Sequence, residues 1–196
     1  MPRLKGNTKE IILEKSLKLF SINGFEAVSI RTIAAEVGIG NSALYKHFPS
    51  KQAIFDALVE DLKSKYMDFS EFVSEDIKGV DAVTDACLRM FEYQTENEQI
   101  VNFRQLLLIE KFRNPHMAKI YREFFIEVPL NKLKTIFESL QDKNLMIKGD
   151  PFVFAMELYS PFYLYHFVEH GEDLKDKYRV HVKNFSRNFI MSGKPE

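Results

Sequence analysis

Two stretches of the sequence have residue types at spacings that could do chemistry. Gly38-Ile39-Gly40-Asn41-Ser42-Ala43 fits the G-x-G-x-x-G/A pattern of a dinucleotide-binding turn. In such a turn the glycines let backbone approach a pyrophosphate. Glu60 and Asp61 lie about twenty residues further on, where that fold carries the acid that holds a ribose. His166-Phe167-Val168-Glu169-His170 fits H-x-x-E-H, with two zinc ligands on one helix side and a glutamate as general base. The first pattern would make the chain a dinucleotide enzyme and the second a zinc hydrolase.

Both chemistries depend on the elements that deliver these residues. A dinucleotide turn needs a buried strand before it and a crossover helix after it. The preceding residues are SIRTIAAEV, in which Ile30, Ile33, Ala34 and Val37 recur at spacings of 3, 1 and 3. That is a helical period without strand alternation, and Pro49 cuts short the helix that follows. The match is one of text, and no cofactor is expected. HFVEH falls in a last helical turn before Gly171, where the helix dipole favours histidine in any case. No motif marks a third ligand, so no metal is expected.

The same glycines suit a helix-turn-helix, in which two short helices cross steeply over a turn of a few residues. Gly38 supplies a turn with positive φ, and Ala34 keeps the crossing thin. Ile33, Ile39 and Leu44 supply a small core. The helix after the turn, about Asn41 to His47, directs Leu44 and Phe48 inward. Asn41, Ser42, Tyr45, Lys46 and His47 are left on an outer face that suits a major groove.

Composition agrees with a DNA-binding end. The net charge of −1 conceals an asymmetry. Residues 1–51 hold eight Lys and Arg against four Asp and Glu, a net +4; the remaining nineteen basics and twenty-four acids give −5. A basic end on an acidic body is expected where one end meets a polyanion. With 196 residues and 45% hydrophobic composition the chain can bury a real core. No apolar run is long enough for a membrane-spanning helix, and MPRLKGNTKE does not read as a secretory signal. Cys87, the one cysteine, fits a reducing cytoplasm.

The remaining pattern is helical throughout, and the expected fold class is all-α. Asn7 with Glu10 resembles a capping box opening a first helix that Gly24 stops. Ser29 caps a second helix, and Ser50 a long fourth one with Phe55, Val59, Leu62, Tyr66 and Phe69 as its apolar stripe. Further helices are expected over about 81–95, 98–112, 116–141 (broken near Pro129), from Asp150-Pro151 to Gly171 with Pro161 inside, and over about 172–191.

Residues 12–55 resemble the N-terminal domain of the TetR family of transcriptional regulators. The resemblance is carried by Phe20, Asn23-Gly24-Phe25, Ser29, Ile33-Ala34, Val37-Gly38, Leu44-Tyr45, Phe48 and Ser50-Lys51. It implies a DNA-binding domain over residues 1–48 and a helical ligand-binding and dimerisation domain over 49–196. It implies phosphate contacts by Ser29, Arg31 and Thr32, backbone contacts by Tyr45 and His47, and phosphate binding by Lys51. Asn41, Ser42, Ala43 and Lys46 fall on its base-reading surface. The sequence departs from the common pattern at Gly40, Asn41, Ser42 and Ala43, where many members have Ser, a basic residue, Gly, and Thr or Ser. Pro161 inside YSPFYLYHF is a further feature common in the family.

Fifteen of eighteen Phe and seven of eight Tyr lie in residues 52–196, which serves core packing first. The resemblance also implies an effector cavity there. Its candidates are Cys87, Met90, Phe91, Phe103, Leu107, Tyr121, Phe124, Tyr159 and Tyr163, a lining for a small hydrophobic or aromatic effector. Pairing through the last two helices is implied as well, with Phe162, Tyr165, His166, Val182, Phe185 and Phe189 as candidates. The expected function is a cytoplasmic, ligand-responsive homodimeric repressor on a palindromic operator in double-stranded DNA. An activator could use the same parts, and a zinc or dinucleotide enzyme is the rival class.

Overall fold

A computed structural model describes residues 7–66, 79–167 and 172–191, with side chains described for 7–65, 81–165 and 175–191. The helices are α1 (Thr8–Asn23), α2 (Ile30–Val37), α3 (Asn41–His47), α4 (Lys51–Tyr66), α5 (Gly79–Glu96), α6 (Glu98–Glu110), α7 (Pro115–Arg122), α8 (Val128–Asp142), α9 (Pro151–Phe167) and α10 (Glu172–Phe189). Among the described residues the one β-type pairing is an isolated bridge between Met146 and Ile190. The all-α expectation holds.

Local chemistry sets the helix starts. The Asn7 side chain caps α1 by accepting from the Lys9 N–H, a position earlier than a capping box would use. Ser29 caps α2 through the Thr32 N–H, and Ser50 accepts from Ala53 N–H ahead of α4. Asn97 caps α6, Asn114 caps α7 with Pro115 in the first turn, and Asp150 accepts from Phe152 and Val153 ahead of α9. The break expected near Pro129 is a π-helical turn, Glu123–Glu127, and Pro129, which has no N–H to donate, is the second residue of α8 that follows it. Helix α9 continues through Pro161, and Ser160 Oγ donates to the Met156 carbonyl one turn back.

The chain packs as two compact units, one of residues 1–68 and 96–125 and the other of 69–95 and 126–196. In the first, α1 packs on α2, α4 and α6, and α7 packs on α6. Its core joins Ile12, Leu17 and Phe20 of α1 to Ile33, Leu44, Phe48, Phe55, Phe103 and Leu107. The stripe expected on α4 holds at Phe55 and Leu62 and is corrected at Val59. Ile54, Phe55, Leu58 and Leu62 are buried, whereas Val59 is half-buried. With α1 and α6 both against it, α4 needs a wide face rather than a single seam. Phe69 and the Tyr66 side chain lie outside the described residues.

In the second unit, α8 and α10 pack on α9. Phe91 stacks on Tyr178 at 3.9 Å, and Tyr159 on Phe162 at 4.9 Å. Arg179 joins Glu92 at 3.1 Å and Asp176 at 3.0 Å. Tyr178, Val182 and Phe185 form the buried face of α10, and Phe189 is half-buried. Leu174 lies outside the described side chains.

Candidate nucleic-acid interface

The turn between α2 and α3 is built on Gly38, which has φ +77° and ψ +30° in the left-handed region. Its N–H donates to the Ala35 carbonyl at 3.1 Å, and the Ile39 N–H to the Ala34 carbonyl at 3.0 Å. This pair of bonds is a Schellman ending, and it satisfies the last carbonyls of α2. Helix α2, not a strand, therefore delivers the chain to Gly38, and the dinucleotide reading fails on geometry. Gly40 is an extended residue (φ −74°) at the start of α3 and provides no side-chain cap.

The turn leaves α3 with one face inward. Leu44 is fully buried, Phe48 and Ile33 are buried, and Ile39 is half-buried. Asn41, Ser42, Tyr45, Lys46 and His47 are exposed, and Ala43 is half-exposed. Tyr45 is an apolar-bodied side chain 53% open to solvent on a helix with four polar neighbours. Ser29, Arg31 and Thr32 are also exposed, on the first turn of α2. The Ser29 and Thr32 hydroxyls are 2.8 Å apart, so the two oxygens are held as a pair.

Lys51 differs from the other candidates. Its ammonium donates to the Phe25 carbonyl at 2.6 Å and the Glu26 carbonyl at 3.3 Å, and lies 4.3 Å over the Phe25 ring. It ties the start of α4 to the loop between α1 and α2. On the far side of that loop, the Glu110 carboxylate at the end of α6 accepts the Phe25 N–H at 2.8 Å. Neither attachment has a local sequence signal. Both join residues far apart in the chain, and a single sequence gives no measure of such pairs.

The nine effector candidates fall in both units. Phe103, Leu107, Tyr121 and Phe124 are buried in the first unit. Cys87, Met90, Phe91 and Tyr159 are buried in the second, where Tyr163 is half-buried. Cys87 and Met90 line a cavity with Val83, Ala86, Leu133, Ile136 and Phe137. Its free space is about 10 Å³, the room of about one water molecule, and every lining side chain is apolar or a thiol. Burial pushes the Cys87 thiol up to about 12, so it stays protonated and unreactive at neutral pH. Tyr159 Oη reaches Gln94 Oε1 at 3.4 Å in the same unit.

Of the pairing candidates, Phe162, Val182 and Phe185 spend their surface inside the second unit, and Tyr165 and Phe189 are half-buried. The exposed apolar side chains of α9 are Phe152, Val153, Met156 and Leu164, with Val180 on α10. The side chains of HFVEH lie outside the described ones. Among the described residues no group of three or more His, Cys, Asp or Glu could hold a metal ion, and no helix is long and apolar enough to cross a membrane.

Comparison with known proteins agrees with this geometry. Residues 12–58 match the model of the bacterial regulatory proteins of the tetR family. A nucleoid occlusion factor SlmA from Shewanella baltica is 30% identical over 116 residues, 59% of this chain and 51% of that protein. The SlmA of Citrobacter koseri is 35% identical over 79 residues, 40% of each chain. The chain thus spans about half, or less, of the length of these relatives. SmeT in complex with triclosan shares the fold with a TM-score of 0.74 at 18% identity, covering 95% of this chain and 93% of that one. Residues 12–58 thus carry the helix-turn-helix DNA-binding domain of the bacterial regulatory proteins of the tetR family, and the chain as a whole shares the all-α fold of solved regulators of that family.

Proposed function

We propose that the protein is a homodimeric repressor that leaves a palindromic operator when a small apolar effector binds its second unit. The observation that carries the DNA contact is the exposed face of α3, held outward by the Gly38 turn beside the Ser29–Thr32 hydroxyl pair. Ser29, Arg31, Thr32, Tyr45 and His47 contact the duplex backbone and fix register. Asn41, Ser42, Ala43 and Lys46 read bases: Asn pairs with adenine, Lys meets guanine, and the Ala methyl meets a thymine methyl. Lys51 supports the loop that presents Ser29, and its charge adds to the attraction for phosphate.

A two-fold dimer sets two α3 helices one turn of DNA apart, about 34 Å, and so selects a palindrome. The exposed stripe of α9, Val153, Met156 and Leu164, is the surface a second copy would cover. Effector binding at the Cys87–Met90 cavity must displace side chains, because the cavity as it stands has about 10 Å³ free. That requirement links occupancy to a change of packing, and α4 then acts as the lever that alters the spacing of the heads. SmeT is the repressor of a multidrug efflux pump of Stenotrophomonas maltophilia and has been solved with triclosan bound, which supports the repressor reading by analogy of fold. A cytoplasmic site of action follows from a DNA target.

The test is a gel shift against the DNA upstream of the protein's own gene. Binding there should be at least a hundred-fold tighter than to random duplex of equal length, in keeping with specific regulators. Equal affinity for the two would remove the reading.

A further inference from the structure

We propose that Glu110 is a positioning residue for DNA binding. Its carboxylate meets no DNA, yet it holds the loop between α1 and α2 and thereby sets the Ser29 end of α2. The inference rests on the DNA-binding reading above.

Glu110 stands where local rules disfavour it. It is the last residue of α6, where the helix dipole opposes negative charge, and it is 6% exposed. A residue that violates two local preferences is held there by something specific. Here that is the Phe25 N–H, which Oε1 accepts at 2.8 Å. Phe25 follows the end of α1, so its N–H lies beyond the helical ladder and needs an outside partner. Gly24 completes the site. Its φ of +81° turns the chain out of α1, and a Cβ there would stand 2.9 Å from Glu110 Oε1.

The other side of Phe25 is gripped as firmly. Its carbonyl accepts from Lys51 Nζ at 2.6 Å. Its ring packs on Phe20 at 5.2 Å and edge-on to Phe55 at 5.6 Å. One peptide segment is thus fixed by an acid of α6 through its N–H and by a base of α4 through its C=O. Four residues later comes Ser29, the cap of α2 and a phosphate contact in the proposed interface. The loop is a short turn, so the two charged attachments at Phe25, together with the packing of α2 on α1, set where Ser29, Arg31 and Thr32 stand. A shift of an ångström there is enough to lengthen a hydrogen bond to phosphate beyond use.

The experiment uses the full chain and three variants, Glu110→Ala, Glu110→Asp and Glu110→Gln. Two quantities are read: exchange protection of the Phe25 amide by NMR, and affinity at low salt for a fluorescein-labelled random-sequence duplex of about 30 base pairs. Gln keeps the acceptor and should retain both. Ala removes it, and Asp is one methylene too short, so each should lose Phe25 protection and bind duplex about ten-fold more weakly. The salt slope should not change, because no phosphate contact is deleted. Wild-type affinity in a folded Glu110→Ala or Glu110→Asp protein would overturn the proposal. So would a salt slope reduced as by loss of a phosphate contact, or a Gln variant as weak as Ala. Should Glu110→Ala not fold, Glu110→Asp, which keeps the charge, decides. A wild-type protein that binds no duplex would defeat the DNA reading, whereas Phe25 protection indifferent to residue 110 would defeat the latch.

Discussion

Gly38 and Gly40 lie two residues apart in the α2–α3 turn and make opposite demands on the backbone. Gly38 has φ +77° and Gly40 φ −74°, and a Cβ at either would meet nothing within 4 Å. Space is therefore not the reason for either glycine, and conformation is the reason for only one. An L-residue in the left-handed region costs about 1–2 kcal/mol. Gly38→Ala should lower stability by that amount in urea unfolding, whereas Gly40→Ala should leave it within about 0.5 kcal/mol. Equal losses would mean that the turn is not what requires glycine.

The two kinds of DNA contact should separate in their response to salt and sequence. In the proposed interface Arg31 meets the duplex backbone, so Arg31→Ala should weaken binding to all duplexes alike and reduce the salt slope by about one. Asn41→Ala should instead change which sequences are recovered from a random duplex pool, with a cost of about 1–3 kcal/mol confined to one position of the site. Uniform loss from both variants, with unchanged sequence selection, would take base reading away from Asn41.

The head was the legible part of this chain because its determinants are local. Ser29, Gly38 and Ser50 each act on backbone within a few residues, and the structure shows them capping or turning the chain as their types suggest. Phasing in the rest was harder for a physical reason. Helices α4, α9 and α10 carry apolar residues on more than one face, and sequence cannot say which face meets the protomer's own core. Phe162, Val182 and Phe185 read equally well as pairing residues and as core, and the structure has them inside. On α4 the same ambiguity hid Ile54 and Leu58, which are buried beside the expected Phe55 and Leu62. The attachments of Glu110 and Lys51 were illegible because their partners are backbone groups of Phe25, 85 and 26 residues away.

Alkaline pH should unfold the second unit through Cys87. Burial raises the folded thiol to about 12 from an ordinary 9.0, and Tyr178 beside it is raised too, by burial first and then by the Cys87 charge. Between about 9 and 12 the unfolded chain gives up the thiol proton and the folded chain keeps it. The stabilisation is complete below 9 and is lost as pH rises toward 12, at up to about 1.4 kcal/mol per pH unit for one group. Melting temperature should therefore fall through this window, and Cys87→Ala should fall less steeply. Parallel curves for the two proteins would exclude the thiol as the cause.

The pairing face proposed on α9 can be told from the core by what its loss does. Val153, Met156 and Leu164 recur at spacings of 3 and 8 along α9, so they share a face, and Val153 and Leu164 are 55% and 54% exposed. A single chain gains nothing from apolar surface held in water, whereas a second copy would gain by covering it. A charge at Leu164 costs the protomer little, because that side chain already meets solvent. It costs a dimer the desolvation of an unpaired carboxylate. Leu164→Glu should therefore sediment as a monomer with nearly the parent's helical content, and bind operator with loss of the two-site advantage. Phe185→Ala should do the reverse. It empties a buried site at a cost of about 3–5 kcal/mol and lowers the melting temperature, while the protein that remains folded still pairs. If Leu164→Glu stayed dimeric and Phe185→Ala alone dissociated, the pairing surface would have to be sought on another face.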